Sequence, residues 1–507
     1  MVVAALIGAF GAGEVDSFAA AQTTSTRVSD SPPNVVVFLV DDMGLMDTSV
    51  PFLTGPDGSP ARHPLNDLYR TPAMERLAAR GTRFEQFCAM SVCSPTRLSL
   101  MTGHNAARHR TTNWIRPDGN NRGPFGPPDW NWLGATSDTI TLPRLLASRG
   151  YRTIHIGKGH FGPNDSPGSD PRTLGFDVAI AGSAAGQPGN YYGNDGYGVP
   201  GLDRYRGTGT FLTEALTREA LREIDRSLET EQPFFLYLAH YAVHAPFHSD
   251  PRFADHYRDR GLSPQAQAYA TLIEGMDRSL GDLLDHLEAR GIADDTLVLF
   301  LGDNGSDAPL GGPHDVASSA PLRGKKGSHY EGGMRAPLII AWADADADRV
   351  ATRHPELPIR RGVIETQLTS VLDLMPTILA ATGTSAPNAY RLDGADLSSL
   401  LAGTVEESRP ERFLMHYPHA PHRSDYFTVL RDGEWKVIYH YRPTDSSGGS
   451  HYQLFRLSDD PFEANDLAAS EPEVLRRMMQ RLVEELEACD ALFPIDEAGK
   501  ELRPIVP

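Results

Sequence analysis

Cys93 is one of only three cysteines, and it lies four residues ahead of Arg97 with Pro95 between them. An apolar turn that a short helix could continue follows directly. A thiol near a helix N-terminus with a guanidinium close by is a candidate nucleophile, because dipole and cation both favour the anion. The alternative for a lone cysteine is a buried structural side chain. Elsewhere, oxygen ligands recur in pairs. Asp41 and Asp42 close the apolar run Asn34 to Val40, and Asp303 and Asn304 close Thr296 to Leu301. Alone, either pair reads as a solvated turn. Two pairs, each ending a continuous apolar run, point to convergence around a divalent cation that neutralises adjacent carboxylates. With no thiolate or imidazole cage, the ion expected is Ca²⁺, with Mg²⁺ second.

Cationic groups cluster in the same kind of place. Lys158 and His160 occupy a Gly-rich loop after a β-branched run, and Lys325 and Lys326 form a doublet in another. His240, His244 and His248 follow the apolar run 233–239. Three histidines so close could hold zinc, but Pro246 and the strand context argue against one helical face.

The run from Cys93 through Thr102-Gly103 resembles the C-x-P-x-R signature of the type I sulfatases, with His104 standing where that family has Arg or Lys. In that family the cysteine is oxidised after synthesis to formylglycine, an aldehyde. The resemblance extends to Gly157-Lys158-Gly159-His160-Phe161-Gly162, to the strand followed by His244-Ala245-Pro246, and to Leu322 through Gly333. It implies that Cys93 is the modified nucleophile supported by Arg97, and that Lys158 and Lys326 bind sulfate. It further implies that His160 assists collapse of the intermediate and that His244 is the leaving-group acid. Lys326, not Lys325, falls on the sulfate-binding position. Asp41, Asp42, Asp303, Asn304 and an oxygen of residue 93 would form the metal shell. A formylglycine-generating or anaerobic sulfatase-maturing enzyme becomes an expected partner.

These residues need strands to carry them. The run 34–40 lacks alternation, as a strand of a parallel sheet buried on both faces does, and 151–156, 233–239, 296–301 and 338–342 read as further strands. Helical patterns lie between them: 71–81 with its proline at N1, 142–149, 213–228, the long stretch ending at Gly291, and 370–381, interrupted by Pro376. This is the grammar of an α/β fold with a large doubly wound, mostly parallel sheet. Residues 163–210 read as a long loop forming a substrate rim. After about residue 386, short strands at 392–394, 429–438 and 453–461 and a helix at 474–489 resemble the sulfatases' smaller C-terminal α+β subdomain. The domains expected are therefore 34–385, catalytic, and 386–507, C-terminal. The basic, aromatic stretch Met415 to Arg423 offers His419, His422 and Arg423 as sugar contacts.

Residues 1–22 read as an export signal and 23–33 as a linker, which implies a periplasmic or extracellular protein. No later run reaches the roughly 20 apolar residues of a membrane span. A net charge of -19 argues against nucleic-acid partners. Three cysteines make no disulfide framework. The function implied is hydrolysis of sulfate monoesters, on a sulfated small molecule or oligosaccharide. The alternatives are a phosphoester or phosphonate hydrolase of the same superfamily and a non-catalytic extracellular glycan-binding protein.

Overall fold

The strand β1 (Asn34–Val40) is buried at every position. It runs through the middle of an eight-stranded sheet in a computed structural model that describes Met1 and residues 32–310, 319–404, 409–419, 426–444 and 447–507. The proposed export signal lies outside the described residues, as does most of the linker. The other strands of the sheet are β2 (Gly81–Phe84), β3 (Arg152–Gly157), β4 (Val178–Ile180), β5 (Phe234–His240), β6 (Thr296–Gly302), β7 (Leu338–Trp342) and β8 (Val363–Glu365). Their order is β8-β2-β7-β6-β1-β5-β3-β4. All neighbours are parallel except β7, which runs against both β6 and β2.

Because side chains alternate along a strand, β1 feeds two cores at once. Val35, Val37 and Leu39 join one apolar cluster, and Val36, Phe38 and Val40 the other. The first face is covered by α1 (Cys93–Thr102) and α2 (Leu374–Ala381), the second by helices Leu212–Glu229 and Pro264–Ala289. Both faces are thereby sealed, as a sheet rich in parallel strands requires.

Beyond residue 386, β9 (Arg412–Tyr417), β10 (Phe427–Asp432), β11 (Trp435–His440) and β12 (Tyr452–Arg456) form an antiparallel sheet. One of its faces, through Phe413, Met415, Phe427, Val429, Ile438 and Phe455, belongs to the same apolar cluster as Val35. The other packs on helix Pro472–Ala488 through Leu430, Val437 and Leu454. Ion pairs reinforce the joint. Glu331 receives Lys436 at 3.0 Å and Arg431 at 3.1 Å, all three buried, and Lys436 also meets Glu463 at 2.6 Å. Charges removed from water in this way are costly unless each finds a partner.

Several elements differ from expectation. Within 163–210 lies β4, three half-buried residues at the sheet's edge, too short for a periodic signal. Leu392–Gly394 is not a strand, whereas Met415–Tyr417 belongs to β9 rather than a loop. Pro376 does not break its helix, because it stands in the first turn, where its missing N–H is no loss. Gly81 does end the helix Pro72–Arg80, yet with extended backbone. Glycine is needed there because a Cβ would lie 2.1 Å from the Ile340 carbonyl oxygen.

The loop after β1 buries Asp47, whose Oδ2 accepts from Gly44 N–H at 2.8 Å and from the Tyr269 hydroxyl at 2.9 Å. Burial pushes this carboxyl up to about 7 despite those bonds. The folded protein therefore keeps a proton that the unfolded chain has lost between about pH 4 and 7, so stability falls as pH rises through that interval. In Asp47→Asn this contribution is absent. Measured by urea unfolding, the variant gains on the parent by on the order of 4 kcal/mol from pH 4 to pH 8. A difference independent of pH would refute the argument.

Candidate active site

Four adjacent parallel strands deliver the chemistry at one level. Val40 of β1 pairs with His240 of β5 and Gly302 of β6, and Gly157 of β3 pairs with Ala239 of β5. Asp41, the 241–248 segment, Asp303 and Lys158 must therefore emerge side by side at the carboxyl edge, where open α/β sheets place their sites. Backbone bonds continue the ladder past the strands. Asp303 N–H donates to Val40 O at 3.2 Å, Asp41 N–H to Ala242 O at 2.9 Å, and Lys158 N–H to Ala239 O at 2.8 Å. Asp42 and His160 then adopt left-handed backbone, φ 61° and 60°. For residues other than glycine this is strained, and such strain collects where geometry serves function.

The side chains form an alternating lattice of charge. Lys158 Nζ lies 2.7 Å from Asp41 Oδ2, and Lys326 Nζ lies 2.5 Å from Asp42 Oδ1. Arg97 donates twice to Asp303 Oδ2, at 3.0 and 2.8 Å, once to Lys158 O at 2.9 Å, and stands 3.5 Å from Asp41. Burial alone would raise the Asp42 carboxyl, but Lys326, His244 and Lys158 together hold it well below the ordinary range. Asp303 is pushed up to about 6, by burial first and then by Asp41, in spite of Arg97. Lys326 is driven well above its usual value, since Asp42 outweighs the burial that would lower it.

Three buried oxygens in this lattice have no hydrogen-bond partner: Asp41 Oδ1, Asp42 Oδ2 and Asn304 Oδ1. Leaving such groups unpaired costs about 1 to 3 kcal/mol each, so the donor set calls for a cation. Ligand atoms of Asp41, Asp42, Asp303 and Cys93 all lie within 4.8 Å of one another. Oxygen donors of this kind fit a hard divalent ion.

Cys93 opens α1, every residue of which is buried. The thiol is 3% exposed, and burial pushes it up to about 12, more than Lys158 and Lys326 can offset. The reading of Cys93 as a thiolate activated by dipole and guanidinium is thus corrected. Arg97 spends its charge on Asp303, and the thiol stays protonated.

A cavity of about 400 Å³ opens above Cys93, bordered by His160, His244 and Lys326. His160 Nε2 lies 2.7 Å from Ile115 O, which fixes the N–H there and leaves Nδ1, buried and unpartnered, as an acceptor. Burial and then Lys158 hold this imidazole well below its usual value, hence neutral. His244 Nδ1 faces Ala245 O at 2.6 Å, and its Nε2 lies 3.6 Å from Asp42. Burial lowers it to about 4 against the pull of Asp42.

Other expected residues fall elsewhere. His240 is buried within β5, its Nε2 2.9 Å from Ser279 Oγ, and His248 stacks on Tyr192, so the three histidines share no metal. Lys325 reaches toward Asp307 at 4.0 Å, while its neighbour Lys326 faces the cavity. His419 as a sugar contact is corrected: it is fully buried, with Nε2 2.8 Å from Thr112 Oγ1 and Nδ1 3.2 Å from Arg122 O. Its β-strand neighbours draw it inside. His422 and Arg423 lie outside the described residues. Two features escaped sequence reasoning. Gly332 and Gly333 serve close packing, since a Cβ on either would meet backbone or side-chain atoms within 2.6 Å. The loop they belong to is tied to the site by Lys326 N–H to Ser306 O and Gly327 N–H to Ser91 O.

Known proteins resemble this chain over most of its length. A family model described as Sulfatase matches residues 33–384, and one described as N-sulphoglucosamine sulphohydrolase, C-terminal, matches residues 325–491. Arylsulfatase J of Mus musculus is 26% identical, over 92% of this chain and 77% of its own. N-acetylgalactosamine-6-sulfatase of the same species is 32% identical over 72% of this chain, an alignment spanning 65% of that relative's length. The crystal structure of Ps i-CgsB has a TM-score of 0.69 at 25% identity, covering 90% of this chain and 93% of that chain.

Proposed function

We propose that this chain, which belongs to the sulfatase family and is thereby a sulfuric ester hydrolase acting on sulfated carbohydrate, works through formylglycine made from Cys93 and a bound Ca²⁺. The observation that carries the reading is the set of orphaned oxygens and buried cations gathered around residue 93. Hydrated, the aldehyde would supply one hydroxyl that loses its proton to a neighbouring carboxylate and displaces the alcohol from sulfur as the ester S–O bond breaks, and a second whose deprotonation re-forms the C=O as the C–O bond to sulfate breaks. Ca²⁺ held by Asp41, Asp42, Asp303 and Asn304 would supply fixed positive charge for the anionic group, the role such ions have in ester cleavage. Oxygen ligands that include an amide suit it better than Mg²⁺.

Lys158 and Lys326, both buried and anchored by Asp41 and Asp42, offer N–H donors to the sulfate oxygens. Arg97 fixes Asp303 and the Lys158 carbonyl, and adds its charge beside the attacking hydroxyl. His160, its tautomer locked by Ile115 O, presents Nδ1 as acceptor for the second hydroxyl's proton. His244, with Nδ1 occupied, donates from Nε2 to the departing alcohol oxygen. Since His244 sits at about 4 in the free site, its acid form thins as pH rises. kcat/KM is expected to decline from pH 5 to pH 8, and His244→Gln to lose about 10²-fold or more together with that decline. An unchanged slope in the variant would remove His244 from the role.

Calcium should raise the unfolding free energy by about 2.7 kcal/mol at a hundred times its Kd, and Asp42→Asn should lose that gain. Protein co-expressed with a maturing enzyme, in an exported compartment, should release sulfate from singly sulfated sugars. Dominant release of phosphate from matched phosphate monoesters would overturn the sulfatase chemistry proposed here.

A further inference from the structure

Above the charged floor, the cavity is apolar. Trp114, Ile115, Pro117 and Ala185 form its walls, and among the described lining residues Lys326 is the one permanent charge. Trp114 is 36% exposed, and among the described residues it is the one exposed large apolar side chain that borders this cavity. Its position is set by the reacting centre itself. Ile115 N–H donates to Ser94 Oγ at 3.1 Å, next to Cys93, and Ile115 O receives His160 at 2.7 Å. On either side, Trp114 N–H donates to Asn113 Oδ1 at 2.9 Å, and Trp114 O accepts from Asn121 at 2.9 Å. The indole is therefore held at a defined place relative to residue 93 before substrate arrives, so little ordering entropy is lost on binding.

We propose that Trp114 stacks against the ring of a pyranose carrying one sulfate, and that this contact selects the substrate. The inference rests on the sulfate-ester reading above. The face of a pyranose is a patch of C–H bonds, which the electron-rich face of an indole attracts, while hydroxyls project from the ring edge. The Gln187 amide on the rim can both donate to and accept from such hydroxyls, which an aryl ester does not offer. A cavity of about 400 Å³ is near the small end of ligand pockets, roughly 300 to 1,000 Å³, and so suits one ring better than a run of polymer. Lys326, the permanent cation on its described walls, is committed with Lys158 to the sulfate that reacts, so no described wall residue offers a second sulfate on the same ring a permanent positive charge.

The test uses matured full-length protein and a singly sulfated monosaccharide. Trp114→Ala should raise KM by about tenfold or more, with kcat moving less. Trp114→Phe should recover most of that loss. Inorganic sulfate, a competitor without a ring, should inhibit parent and Trp114→Ala alike. An unchanged KM, or an equal loss of inhibition by sulfate, would overturn the contact. A disulfated form of the same sugar turned over as well as the singly sulfated one would overturn the selection for one sulfate. Binding is read apart from chemistry in Cys93→Ala, where the sugar should quench tryptophan fluorescence and the added Trp114→Phe should abolish the quench. Quenching that survives that change defeats the inference, whereas quenching without turnover in the parent defeats only the hydrolase reading.

Discussion

Replacing Cys93 by alanine should abolish sulfate release, a loss of roughly 10⁴-fold or more, as when a covalent nucleophile is removed. The argument does not rest on an activated thiol. Enclosed in α1 and pushed up to about 12, the sulfhydryl is a poor nucleophile at any pH the protein is expected to meet. An unmodified cysteine or serine that accepted sulfate would also lack the second hydroxyl needed to let it go. Turnover should therefore follow the fraction of chains in which residue 93 has exchanged sulfur for oxygen, as read by mass spectrometry of the peptide containing it. Full activity in chains retaining the thiol, or in Cys93→Ala, would end the mechanism.

Replacing Arg97 by alanine should cost about 3 to 5 kcal/mol of stability in addition to activity, the scale on which breaking a buried pair leaves a charge uncompensated. Its side chain is fully buried and serves Asp303 through two bonds, with Asp41 at 3.5 Å. Even with it present, Asp303 is raised to about 6. Without it, three carboxylates would face Lys158 and Lys326 alone. Urea unfolding checks this, and a midpoint within the error of the parent's would show that the lattice of charge contributes nothing to folding.

Much of this site could be read from the chain because each pair of ligands sits directly after a buried strand. A run such as Asn34–Val40 announces its burial by having no polar alternate, and the residues that follow it must then lie at the sheet's edge. Hence Asp41, Asp42, Asp303 and Asn304 were recognisable although they stand some 260 residues apart. What escaped depends on contacts that no local pattern carries. Strand β4 has only three residues, and His419 reads as polar until Thr112 and Arg122 are brought to it from 300 positions away. The ion pairs of Glu331 with Arg431 and Lys436 likewise span about a hundred residues. Gly332 and Gly333 are legible as glycines but not as the reason two loops can touch.

The joint between the two sheets also sets an order of events. The apolar face of β9–β12 completes the core in which α1 lies, so the packing that fixes α1, with Cys93 at its start, is complete only once residues as late as Phe455 have joined it. In the folded chain Cys93 is 3% exposed at the floor of the cavity, within reach only of a group that fits inside it. If a separate enzyme converts Cys93, as proposed above, that enclosure favours conversion on a nascent or still unfolded strand, in a race against collapse. Variants that slow docking of the final hundred residues should lengthen that window and emerge more completely converted.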